Sequence, residues 1–232
     1  MKKFLSILLL VSLSLTLLVG ASSAEESFTF RGIPWLTTRA DVKDKLSGEG
    51  LKAWWDDKNA AIPDWFQTWS NINGDYTVSE GGCNVAYHGA SVAGYTADVN
   101  AYFWFPIVEG RVQRDPDLAQ FYLATYEVTG IDNMEPVYDD LLTKLTSLYG
   151  TPQAKNSDSN WTNTIGSLWT AEDGSLIWLA QYTEYGSITV KIWYAAPKTT
   201  ETLQALETQI ANEIREAEDA EREKNKTNTD GL

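Results

Sequence analysis

One cysteine, Cys83, and one histidine, His88, are all that the chain offers of the two residue types that build most metal and nucleophilic sites. A disulfide needs two cysteines, so no disulfide framework can form within the chain. A structural zinc site takes about four Cys or His ligands, and the chain cannot supply them. A serine or cysteine nucleophile with a histidine base would have to route through His88. Basic charge is also scarce: 18 Lys and Arg against 32 Asp and Glu give a formal net charge of -14. Such a surface repels polyanions, so no nucleic acid is expected as a partner. No Walker A loop, G-x-G-x-x-G, H-E-x-x-H or G-x-S-x-G run occurs, which counts against the enzyme classes that depend on them. No cofactor, metal or catalytic residue is expected.

What is present is 232 residues, enough for one sizeable domain or two small ones, with 10 Trp, 11 Tyr and 7 Phe. The start has the pattern of a secretory signal peptide over residues 1–24. Lys2 and Lys3 precede an apolar run from Phe4 to Val19, and Ser22-Ser23-Ala24 forms a small-residue cleavage site. The run is slightly short for a membrane span, and no cysteine follows it for lipid attachment. Cleavage would remove both lysines and leave a still more acidic product. No later stretch is apolar for long enough to cross a bilayer. The expectation is therefore an exported bacterial protein, extracellular or held at the cell envelope, with no stable membrane insertion after cleavage.

The remainder divides by pattern into 25–92, 93–197 and an acidic helical tail at 198–232 with a disordered end. Phe28-Thr29-Phe30 alternates like a short strand. Thr38 and Asp41 have capping-box spacing ahead of Val42 and Leu46, which predicts a short helix near 38–47. Residues 51–82 hold Trp54, Trp55, Trp65, Phe66 and Trp69 among acids and turn residues, and the pattern assigns no element to them. From Val85 the period becomes two. Tyr95, Ala97, Val99, Ala101, Phe103 and Phe105 predict a long half-buried strand, and residues 120–128 predict another. A capping pair, Asp132 and Glu135, opens an amphipathic helix over 133–149, whose stripe includes Val137, Tyr138, Leu141, Leu145 and Leu148. Three strands at hairpin spacing follow near 165–171, 175–182 and 187–194. In the tail, Leu203, Leu206, Ile210, Ile214 and Ala217 form a narrow helical stripe, which predicts a solvated helix packed loosely on the domain. The fold class is α+β, with short helices on antiparallel β-meanders and two related subdomains as one form of it.

The opening Phe30-Arg-Gly32-Ile33-Pro34-Trp35, followed by Val42, resembles that of a group of uncharacterised secreted bacterial proteins, F-x-G-I-P-W-G-x-S. Leu36 stands where that pattern has glycine. The later run VYDDLLTKLTSLYGTP, then Trp161, LIWL and VKIWY, resembles the second half of the same group. The resemblance implies a fold and a location but carries no catalytic residues. Two successive helix-plus-meander units are also similar in architecture to the beta-lactamase inhibitory protein and to small outer-membrane assembly lipoproteins, and an architectural likeness carries little function.

The aromatic-acidic stretch marks Trp54, Trp55, Trp65 and Trp69 as candidate ligand-binding residues. Flat indoles stack on sugar rings, and they also anchor protein interfaces or fill cores. Paired carboxylates could hydrolyse glycosides, but so many acids allow almost any pairing. Asn71, Asn73, Asp75 and Glu80 form only fragments of a calcium loop. His88 reads as a structural hydrogen bonder. Cys83, with no basic neighbour in sequence, reads as an inert thiol. The leading expectation is a non-catalytic binding protein for an unknown protein or glycan. The alternatives are a secreted glycan-active enzyme, or a protein inhibitor or envelope assembly factor.

Overall fold

The computed structural model describes residues 27–63, 77–158, 162–184 and 186–227. The expected signal peptide and the candidates Trp65 and Trp69 lie outside the described residues, as do the end of the tail after Thr227 and Tyr185 of the expected second hairpin turn. The fold is α+β. Among the described residues, three α-helices accompany a large antiparallel sheet: α1 Arg39–Gly48, α2 Glu135–Tyr149 and α3 Thr199–Thr227. The main sheet runs in the order β1 Lys52–Pro63, β2 Thr77–Val92, β3 Tyr95–Trp104, β6 Gln120–Val128, β11 Ser187–Ala195, β10 Leu176–Glu184, β9 Thr162–Thr170 and β7 Gln153–Ala154. A short β8, Ser157–Asp158, also pairs with β9, and a small hairpin joins β4 Ile107–Val108 to β5 Arg111–Val112.

The strand order has a simple logic. A helix followed by a meander occurs twice, as α1 with β1-β2-β3-β6 and α2 with β9-β10-β11. The last strands of the two meanders, β6 and β11, pair in the middle of the sheet. The division at residue 92 falls at the β2–β3 turn, and the sheet runs on across it. That turn is Ala93-Gly94, with φ of 50° and 93°. Positive φ at both central residues suits the twist of a two-residue hairpin.

Cross-strand partners share a face, so the register identifies which side the helices cover. One row reads Asp56, Val85, Ala101, Ala124, Tyr194 and Ile177. Asp56 is held by Arg39 of α1. The neighbouring row ends in Ser167, whose hydroxyl meets that of Tyr138 of α2 at 2.8 Å. Both helices therefore lie on the same face. The opening segment plugs the space between them. Phe30 and Ile33 are buried, and Phe30 packs against Phe121, Tyr126 and Tyr194. Trp35 stacks on Phe121, while its indole N–H donates to the Phe28 carbonyl at 2.7 Å. The aromatic opening thus serves as core. Leu36, half exposed, takes φ 65°, the left-handed region that favours glycine.

Several sequence expectations change in detail. Residues 52–63, to which the sequence pattern assigns no element, form β1: only Ala60 and Ile62 of this end strand are buried, so no period-two signal reaches the sequence. The Asp132–Glu135 capping pair does not form. Helix α2 starts at Glu135 with Met134 as an N-cap lacking a side-chain bond, and Asn133 accepts from the Glu135 N–H at 3.1 Å instead. The short Asn side chain closes its own turn first. On α2, Val137, Tyr138, Leu141 and Leu145 are buried as expected, but Leu148 is 72% exposed. Helix α3 buries Leu203, Leu206 and Ile210, packs on β2 and β5, and leaves Ile214 half exposed. Glu213 fastens it, accepting from the Val112 N–H and from Arg114, both at 2.7 Å. Among the described residues no helix is long and apolar enough to cross a membrane.

Candidate functional site

Strand β1 ends the sheet and pairs only with β2 among the described residues. Its register runs from Ala53 opposite Tyr87 directly to Trp55 opposite Ala86, so Trp54 is an extra residue in a β-bulge. A regular strand would send two adjacent tryptophans to opposite faces. The bulge removes that alternation. Asp56 points to the helices, so Trp55 points away from them. Trp54 lies on the same side as Trp55, against His88. The two indoles are 56% and 53% exposed.

Trp54 and His88 stack with ring centres 4.9 Å apart and planes 6° from parallel. His88 is itself anchored, its Nδ1 lying 2.7 Å from the Asp98 carboxylate. Across the sheet Asp98 is opposite Glu127 and Glu127 is opposite Lys191, to which it is ion-paired at 3.0 Å. The open face at the β1 end thus carries a fixed indole, a second indole beside it in sequence, and a strip of polar groups from β2, β3, β6 and β11.

The opposite face of the same strands holds the remaining titratable groups of interest. Arg39 is 1% exposed and bonded to Asp56 and to Asp117, the latter at 3.1 Å, while Lys43 reaches Asp56 at 2.5 Å. Partial burial alone would raise the Asp56 pKa, but the hydrogen bonds from Lys43 and Arg39 outweigh it and hold the carboxyl below its ordinary value. Cys83 is buried opposite Phe103, and its thiol donates to the Lys58 carbonyl at 3.2 Å. Burial pushes its pKa up to about 11. Burial likewise pushes the Tyr87 hydroxyl up to about 12. Cys83 and His88 sit on opposite faces of β2, so they form no nucleophile–base pair.

Of the four candidate tryptophans, Trp54 and Trp55 come together on one face. Asn71, Asn73 and Asp75 of the calcium-like fragment lie outside the described residues. Among the described residues no group of three or more His, Cys, Asp or Glu could hold a metal ion. Asp115 caps a single turn, accepting from the Asp117 N–H at 3.0 Å. Sequence reading missed His88 and Asp98 as partners of the tryptophans. No spacing marks them, because a bulge and the cross-strand register create the contact. Comparison with protein-family models, with curated proteins and with solved structures found no match.

Proposed function

We propose that this is an exported, non-catalytic bacterial protein that acts by binding, that its ligand docks on Trp54 and Trp55, and that it is related to the secreted proteins its opening resembles. One observation carries the binding reading: two neighbouring indoles, each more than half exposed, share one open sheet face. Large apolar side chains held in water are hydrophobic area that a ligand can cover. His88 and Asp98 fix the Trp54 ring in advance, which reduces the ordering cost of binding. Backbone strand addition is disfavoured at this edge, because three register shifts interrupt β1 and Lys52, Asp56, Asp57 and Lys58 lie along it. Side chains are therefore the reading surface.

The enzyme alternative has one observation in its favour. Asp98 and Glu127 are direct cross-strand neighbours on the face that carries the indoles. Each already has its own basic partner, His88 and Lys191 respectively. Neither is placed as a free general acid. The inhibitor or assembly-factor reading rests on architecture, and no observation at the site favours it.

The test is retention of purified mature protein by the producing cell's envelope fraction, wild type against Trp54→Ala/Trp55→Ala. The wild type is retained and the double variant is not. Equal retention of both sinks the reading, and release of reducing ends from envelope polysaccharide by the wild type would replace binding with catalysis. N-terminal sequencing of exported material checks the export step, with Glu25 expected first.

A further inference from the structure

We propose that the Trp54–Trp55 surface takes a neutral glycan, a chain of uncharged pyranose rings; this rests on the binding reading above and names its ligand class. His88 lies flat against Trp54 at 4.9 Å and is tied to Asp98 at 2.7 Å, so the indole is presented in a fixed plane. The electron-rich face of an indole attracts the weakly positive C–H groups that line one side of a pyranose.

A protein-binding hot spot is ringed by contacts that exclude water. Here Trp55 lies opposite Ala86, which is buried, and the polar neighbours on the same face include Lys52, Asp57, His88 and Asp98, with Lys52 and His88 exposed and Asp57 and Asp98 part-exposed. Such a surround stays hydrated, which suits sugar hydroxyls that donate to carboxylates and accept from ammonium and imidazole groups. With a formal net charge of -14, the chain repels uronans, anionic wall polymers and acidic lipids, and leaves neutral chains unaffected.

The experiment is titration calorimetry with tryptophan fluorescence on the purified mature protein. The probes are cellohexaose, xylohexaose, mannohexaose, chitohexaose and maltohexaose, with oligogalacturonate as the anionic comparison. At least one neutral probe is expected to bind saturably, with a change in indole emission. Trp54→Ala and Trp55→Ala are expected to weaken it by roughly tenfold each, the scale of one lost aromatic contact. His88→Ala weakens it less by freeing the indole. Far-UV circular dichroism verifies that each variant is folded. Binding of no neutral probe, equal binding of oligogalacturonate, or undiminished binding by both tryptophan variants overturns the proposal. If envelope retention depends on Trp54 and Trp55 yet survives periodate oxidation of the envelope glycans, the glycan assignment falls while the binding reading stands.

Discussion

Arg39, on the first turn of α1, places its guanidinium against the carboxylate of Asp56, two residues beyond the bulged Trp54 on β1. The same guanidinium reaches Asp117 beyond β5. One buried cation thus ties a helix, an end strand and a loop together, and it does so directly behind the strand that carries the indoles.

Removing the Asp56 carboxylate is expected to cost more than removing the cation. Asp56→Ala leaves Arg39 buried with only Asp117, at a cost of about 2 kcal/mol for an under-satisfied buried group. Arg39→Met leaves Asp56 with Lys43 and solvent, and costs less. Urea midpoints at neutral pH check the order. The pH dependence follows from the lowered pKa of Asp56. A carboxyl whose folded pKa lies below its unfolded value stabilises the fold above the unfolded value, about 4. That contribution is lost as pH falls through the folded pKa. Wild type should therefore lose stability below about pH 4 more steeply than Asp56→Ala.

Leu36 holds a backbone conformation that costs a residue with a Cβ about 1–2 kcal/mol, and its half-exposed side chain returns little packing. Leu36→Gly is expected to raise stability by roughly 0.5–1 kcal/mol once the greater freedom of unfolded glycine is counted. A fall in the thermal midpoint would show that the leucine packs more than its exposure indicates.

Two leucines on the same stripe of α2 should behave oppositely. Leu141 is fully buried and Leu148 is 72% exposed. Leu141→Ala should cost about 3 kcal/mol through lost burial and a residual cavity. Leu148→Ala should change stability by no more than about 0.5 kcal/mol. Denaturant unfolding of the two variants distinguishes a covered ridge from a merely periodic one.

Cys83 combines burial with a thiol pKa of about 11, so almost no thiolate exists at neutral pH. A thiol-specific chromophoric reagent is expected to leave the native protein unmodified at pH 8 and to react with one equivalent after unfolding. Rapid native-state reaction would mean that the β1–β2 hairpin opens locally.

Much of this architecture was legible in the chain, for a definite reason. Alternation across a pleated strand and the 3.6-residue helical period write burial directly into residue order. That is why Gln120–Val128, the three strands between Thr162 and Ala195, and the stripe from Val137 to Leu145 could be read from composition and spacing. Thr38 could be read as well, since its side chain accepts from the Asp41 N–H at 3.3 Å within a single turn.

Periodicity along one element says nothing about where its neighbour stops, so Leu148 carries the helical pattern yet lies in water. Nor does it show a bulge, which is defined only by the partner strand. Trp54 and Trp55 are adjacent in the chain, and only the pairing of β1 with β2 turns both to the open face. The contact of Trp54 with His88 and the anchoring of His88 by Asp98 depend on three strands lying in register. The chain's own order determined an acidic, aromatic-rich α+β protein without the residues for a disulfide or zinc framework. Long-range hydrogen bonding between strands decided that Trp54 and Trp55 meet solvent together, because the face a side chain occupies is a property of a pair of strands and not of either one alone.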